Sequence, residues 1–119
     1  MIAFVLIFVV AVLHGWFMLM EMLLWESQGT RAAFGTTEGF ARESRAMAAN
    51  QGLYNGFLAA GLVWSLWLGP MGAGRGIALF FLACVMVAGV FGAMTVSWRI
   101  LLVQAVPAAL AALAVLIPI

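Results

Sequence analysis

Apolar residues run along this chain in four long blocks, 2–25, 53–69, 76–98 and 100–119, and polar residues gather between the first two. About 20 consecutive apolar residues, rising ~1.5 Å each, span a hydrocarbon core ~30 Å thick. The pattern therefore predicts an all-α protein, a four-helix transmembrane bundle. Its spans are expected at about 2–25, 53–69, 76–97 and 100–119, in one domain covering 1–119. The first block has no basic residues ahead of it and no clear small-x-small cleavage site. It also exceeds the ~7–15 apolar residues of a signal peptide, so it is expected to stay as the first span.

Segment 26–49 is the hydrophilic stretch, with Glu26, Arg31, Glu38, Arg42, Glu43 and Arg45. Gly29 and Gly35 are expected to break its first half. "TEGFARESRAMAANQ" alternates charge signs in a helical pattern and is expected to run straight into the second helix. "GPMGAG" should end that helix as a Gly/Pro turn. The connection near Trp98 and Arg99 should be tight. Pro107 falls inside the fourth block, where a kink is tolerated if neighbours satisfy the freed carbonyl.

Composition narrows the picture. The chain has 119 residues, 67% hydrophobic and 8% charged, with mean hydropathy +1.21. No room is left for a soluble domain, so any chemistry is expected in or at the bilayer, the first partner. A net charge of +1 argues against a nucleic-acid partner. The single cysteine, Cys84, excludes an intrachain disulfide and a cysteine metal cluster, and reads as a small buried apolar residue. All five basic residues are arginine. Arg31, Arg42, Arg45 and Arg99 lie in the 26–49 and 98–99 loops, against Arg75 on the other side. That bias places both loops in the cytoplasm and both termini outside, by a margin narrow enough to leave dual insertion open.

This topology brings Glu21, Asn50, Gln51, Tyr54, Asn55, Thr95 and Gln104 within about two helical turns of one membrane face. His14 lies roughly 10 Å deeper on the face it shares with Glu21, with Met18 between them. Asn50 and Tyr54 share one face of the second helix, Gln51 and Asn55 the adjacent one. A polar side chain costs roughly 2–3 kcal/mol at mid-bilayer, so these groups should turn inward. Together they predict a polar pocket open to the cytoplasm, with His14 as its floor. Each member also has a structural role open to it. Glu21 fits an interfacial acid paired with an arginine such as Arg99, and His14 a core histidine bonded to a neighbouring amide. The amides fit interhelical glue, worth ~0.6 and at most ~2 kcal/mol per contact. One histidine and one acid supply too few ligands for a metal or haem, so no cofactor is expected. No P-loop, dinucleotide fingerprint, H-x-x-x-H or G-x-S-x-G occurs.

Packing has its own signals. Gly52-x-x-x-Gly56 and the strip Ala88, Gly89, Gly92, Ala93 are expected to bring the second and third helices close together. Trp16, Trp25, Trp64, Trp67 and Trp98 fit interface anchors where they lie near helix ends.

Several of these stretches carry a resemblance. "HGWFMLMEMLLW", Phe34-Gly35, "ANQGLYNGFLAAGL", "FFLACVMVAGVFGAMTVS", Gln104 and Pro107-Ala108 resemble the bacterial membrane family known as domain of unknown function 1304. The likeness covers nearly the whole chain, and the Asn-Gln-Gly-x-Tyr-Asn-Gly-Phe motif is its most specific part. It implies a small four-helix protein of the bacterial inner membrane, with no established activity. It also implies that His14, Glu21, Asn50, Gln51, Tyr54, Asn55 and Gln104 belong together. Phe91 stands where the pattern implies tyrosine, which removes a hydroxyl near Thr95.

Three function classes follow. The first is a small-molecule carrier or ligand-binding membrane protein, possible as a homodimer. There Glu21 would exchange a proton for a substrate, with His14 as relay. The second is a membrane-embedded enzyme using His14 and Glu21 as an acid/base pair, isomerase-like, on a lipid-like substrate. The third is a structural or accessory subunit whose polar cluster locks the helices.

Overall fold

The computed structural model describes residues 1–117, so the last two residues of the expected fourth span lie outside the described residues. Among those described, the chain is all-helical. Its helices are α1 (Ile2–Met22), α2 (Gln28–Phe34), α3 (Glu38–Glu43), α4 (Arg45–Leu68), α5 (Arg75–Thr95) and α6 (Val106–Leu116). They divide into two compact units. One is Leu13–Phe57; the other is Met1–Val12 together with the chain from Leu58 onward.

In the second of these units, α5 buries Ala78, Leu82, Val85 and Gly89, at three- and four-residue steps along one helical face. α6 buries Ala108, Ala111, Ala112, Ala114 and Val115. These pack with Ala3, Ile7, Val10 and Ala11 of α1 and Leu62 of α4 into one apolar cluster. Outward positions are apolar too: Phe4, Phe8, Phe80, Val87, Phe91 and Met94 are all exposed. A helix apolar all round suits hydrocarbon rather than water.

Three stretches are long and apolar enough to cross a membrane: Ile2–Met22, Arg45–Ala73 and Arg75–Thr95. Four were expected. The fourth apolar stretch, Leu101–Leu116, forms a shorter helix. It opens with a widened turn, Leu101–Ala105, in which the Val106 N–H reaches back to Leu101 O. Pro107 follows at the start of α6. Proline lacks an N–H and its ring crowds the preceding turn, and a widened turn absorbs both effects.

Element boundaries moved for local reasons. The first helix ends at Met22, not near 25, because the Leu23 and Leu24 N–H groups both turn back to Leu19 O, at 2.9 and 3.1 Å. The second helix starts at Arg45, and the expected run from Thr37 through Gln51 is interrupted at Ser44. There the Ser44 N–H and hydroxyl both donate to Phe40 O, at 2.9 and 2.6 Å. Serine competes for backbone partners in this way and disturbs a helix. α4 ends where expected. Gly69 has φ +94°, open to glycine at little cost, and the Gly74 N–H closes a wide turn onto Gly69 O at 2.8 Å. The 96–100 turn is tight: Val96 and Ser97 N–H groups both bond Gly92 O, and Ile100 N–H bonds Ser97 O.

In the polar segment, Ser27 caps α2 by accepting from Thr30 N–H, and Thr37 caps α3 by accepting from Phe40 N–H. Gly35 ends α2 with φ +69° and ψ 32°, as the pattern predicted, while Gly29 sits inside α2 and breaks nothing. The two glycines should respond oppositely to alanine. Gly35→Ala forces a Cβ into the left-handed region and should lose about 1 kcal/mol. Gly29→Ala meets open space in a helix and should gain up to about 1 kcal/mol. Thermal unfolding in detergent, followed by circular dichroism, checks both signs.

Candidate acid–amide site in the Leu13–Phe57 unit

On α1, His14 and Glu21 lie two turns apart on one face, and both are buried. On α4, Ala48, Gly52 and Asn55 form the buried face, again at three- and four-residue steps. Gly52 is where the two helices come closest. A Cβ there would fall 2.6 Å from Met22 Cγ and 3.0 Å from Glu21 Cβ, and one at Gly56 would fall 2.7 Å from Met18 Sδ. The Gly52-x-x-x-Gly56 motif therefore seats α4 on α1, not on the third helix as expected. The small residues of the third helix have another partner as well: Gly89 lies against Ala105 and Gln104, and Gly92 against Ile100.

The close approach at Gly52 lets one amide reach one acid. Asn55 Nδ2 donates to Glu21 Oε1 at 2.5 Å, and the two residues are 9% and 4% exposed. An ionised carboxylate has about four lone-pair positions, so Oε2 and the Asn55 carbonyl keep acceptor capacity. The ion pair found among the described residues is elsewhere, Arg45–Glu26 at 3.3 Å, largely exposed. His14 meets the edge of Phe17, ring centroids 5.2 Å apart at 75°.

The other expected pocket members stand differently. Asn50, Gln51 and Tyr54 are exposed, because α4 turns them away from the Asn55 face. The Tyr54 ring packs edge-on to Phe57 at 6.0 Å. Thr95 and Gln104 belong to the other unit. The Thr95 hydroxyl donates to Phe91 O of its own helix at 2.7 Å and is exposed. Gln104 lies half-buried in the widened turn before α6. Among the described residues, no three His, Cys, Asp or Glu side chains gather as a metal site.

One feature escaped the sequence reading. Trp25 Nε1 donates to Ser44 Oγ at 3.1 Å, its ring stands edge-on to Phe34 at 5.0 Å, and Arg45 reaches Glu26 beside it. These contacts clasp the ends of the polar segment together. Trp25 was expected only as an interface anchor. The capping residues Ser27 and Thr37 were legible signals that the segment folds back as two short helices.

The fold and this site define an all-helical protein with three helices suited to crossing a membrane and a buried acid–amide pair between two of its helices. The chain belongs to the family described as Protein of unknown function (DUF1304), whose model matches residues 8–116. No curated protein and no solved structure matches it.

Proposed function

We propose that this chain is an integral membrane protein with four crossings that binds a small molecule at Glu21–Asn55, as a carrier exchanging that molecule for a proton. Supporting the fourth crossing, Leu101–Leu116 is apolar and flanked by further apolar residues. With four crossings, the arginine count puts the 26–49 and 98–99 segments in the cytoplasm and both termini outside.

The observation that carries the binding reading is a buried carboxylate, on a helix long and apolar enough to cross a membrane, that accepts a hydrogen bond from a neutral amide. Ionisable groups inside a bilayer are expensive and mark substrate, ion or proton paths. The α4 face turned to Glu21 presents Gly52 and Asn55 and no titratable side chain; on α1 the nearest titratable group is His14. A proton and a ligand then compete for one carboxylate, and ligand affinity falls as pH falls.

Native mass spectrometry of protein released from mild detergent tests the reading. Wild type should carry a defined small molecule that Glu21→Gln and Asn55→Ala lose while staying folded. A second reading, a purely structural lock, is favoured by the Asn55–Glu21 hydrogen bond itself. It predicts an empty wild type and variants that only melt earlier.

A further inference from the structure

We infer that a second copy of this chain docks along the exposed face of α4 formed by Met47, Asn50, Tyr54 and Phe57, with Asn50 of each copy hydrogen-bonded to its counterpart. The inference needs α4 to cross a membrane and is independent of any ligand at Glu21–Asn55.

Two observations carry it. The first is a pattern. Met47, Asn50, Tyr54 and Phe57 follow one another at steps of three, four and three residues, the spacing of a seam between two helices. All four are exposed, on the side of α4 turned away from the Gly52 and Asn55 face that meets α1. The second is an unmet need. Among the described residues, Asn50 and Gln51 form no side-chain hydrogen bond. Their depth makes that costly. α1 and α4 run antiparallel here, since Asn55 meets Glu21 and Gly52 lies beside Met22. Continuing that course, Asn50 and Gln51 stand level with Leu23 and Leu24, two exposed leucines. Exposed leucines suit hydrocarbon, where an amide finds few water partners.

The chemistry of the face selects its occupant. An amide carries both donors and an acceptor, so it pairs with an identical amide. A second copy inserted in the same orientation brings Asn50 to Asn50 at one depth, about a two-fold axis along the membrane normal. The same operation sets Met47 on Met47 and the Tyr54–Phe57 ring pair on its counterpart. Asparagine at one position of an apolar seam fixes register in this way. Lipid tails offer the amides neither donor nor acceptor. A protein confined to the cytoplasm would cover Met47 and fall short of Tyr54 and Phe57, which lie further along the span.

Disulfide trapping of the full chain in native membranes tests this, on a Cys84→Ala background. Under copper–phenanthroline oxidation, Met47→Cys and Tyr54→Cys should each give a covalent species of twice the chain mass. Their yields should exceed that of Leu19→Cys, exposed on α1, by at least about 10-fold. Asn50→Leu should weaken association about 5-fold, read by energy transfer between labelled copies in liposomes, with the helical circular dichroism spectrum unchanged. Should Asn50→Leu fail to fold, trapping at residues 47 and 54 with Asn50 intact still decides. Equal yields at residues 19 and 54, or no covalent dimer at 47 and 54, overturn the inference. An adduct of any other mass there overturns the second copy in favour of a different partner. Carbonate extraction separates this failure from that of the membrane reading: a chain that stays in the membrane without trapping loses only the docking face, and a chain that is extracted loses both.

Discussion

Asn55→Ala is expected to destabilise the α1–α4 contact by about 2 kcal/mol, the cost of leaving a buried polar group without its partner. The structural cause is local. Asn55 and Glu21 face each other across a seam closed by Gly52, where water has little access, and Asn55 supplies the hydrogen bond that Glu21 Oε1 accepts. Glu21→Gln should cost less than about 1 kcal/mol, because an amide oxygen still accepts from Asn55. The double variant Glu21→Ala with Asn55→Ala should fall short of the sum of the single alanine variants by about 1 kcal/mol, within the range of interhelical hydrogen bonds in membranes. Tyr54→Phe, one residue away but exposed, should stay within about 0.5 kcal/mol of wild type. Reversible unfolding in mixed micelles, followed by far-ultraviolet circular dichroism, measures all of these. Equal losses for Asn55→Ala and Tyr54→Phe would remove the acid–amide pair as the organising contact.

Gly89→Leu is expected to disrupt the packing of α5 against the chain before α6, at a cost above about 3 kcal/mol, the upper end for overpacking. A Cβ at Gly89 alone would lie 2.7 Å from the Ala105 backbone nitrogen, 2.9 Å from Ala105 Cβ and 3.0 Å from Gln104 Cβ. Backbone cannot rotate away, so the two segments would have to separate. Gly92→Ala is the graded comparison. Its new Cβ would meet Ile100 Cγ2 at 2.9 Å, a side-chain atom that can shift, and the loss should be nearer 1 kcal/mol. Gly15→Ala, with nothing within 4 Å, should be neutral or mildly stabilising. The same unfolding assay ranks the three; a Gly89→Leu variant as stable as Gly15→Ala would show that this approach does not hold the unit together.

Much of the helical layout was legible because it depends on neighbours in sequence. A long apolar run must be a helix in hydrocarbon, where each backbone polar group needs an internal partner. Gly69-Pro70 and Gly35 end helices through their own backbone preferences. The small errors came from single side chains and single carbonyls: Leu19 O closing α1 early, Ser44 interrupting the run between α3 and α4. Neither leaves a trace in hydropathy. The site was legible only in part. His14 and Glu21 share a face by arithmetic along one helix. Which α4 amide meets Glu21 depends on the rotation of α4 about its axis. Gly52 fixes that rotation by turning its bare face to Met22 and Glu21, which selects Asn55 and sends Asn50, Gln51 and Tyr54 outward.

The sequence by itself determined the all-helical class, the apolar blocks, the main turns and the family, because periodicity, chain length and motif spacing are one-dimensional properties. Tertiary structure alone decided that Gly52 and Gly56 serve α1, that Gly89 serves the turn before α6, and that Trp25 clasps Ser44. It also decided that Asn55 is the amide that meets Glu21, while Asn50, Gln51, Tyr54 and Thr95 are exposed. The reason is steric. A small residue announces that something can come close, and only the three-dimensional path of the chain determines what does.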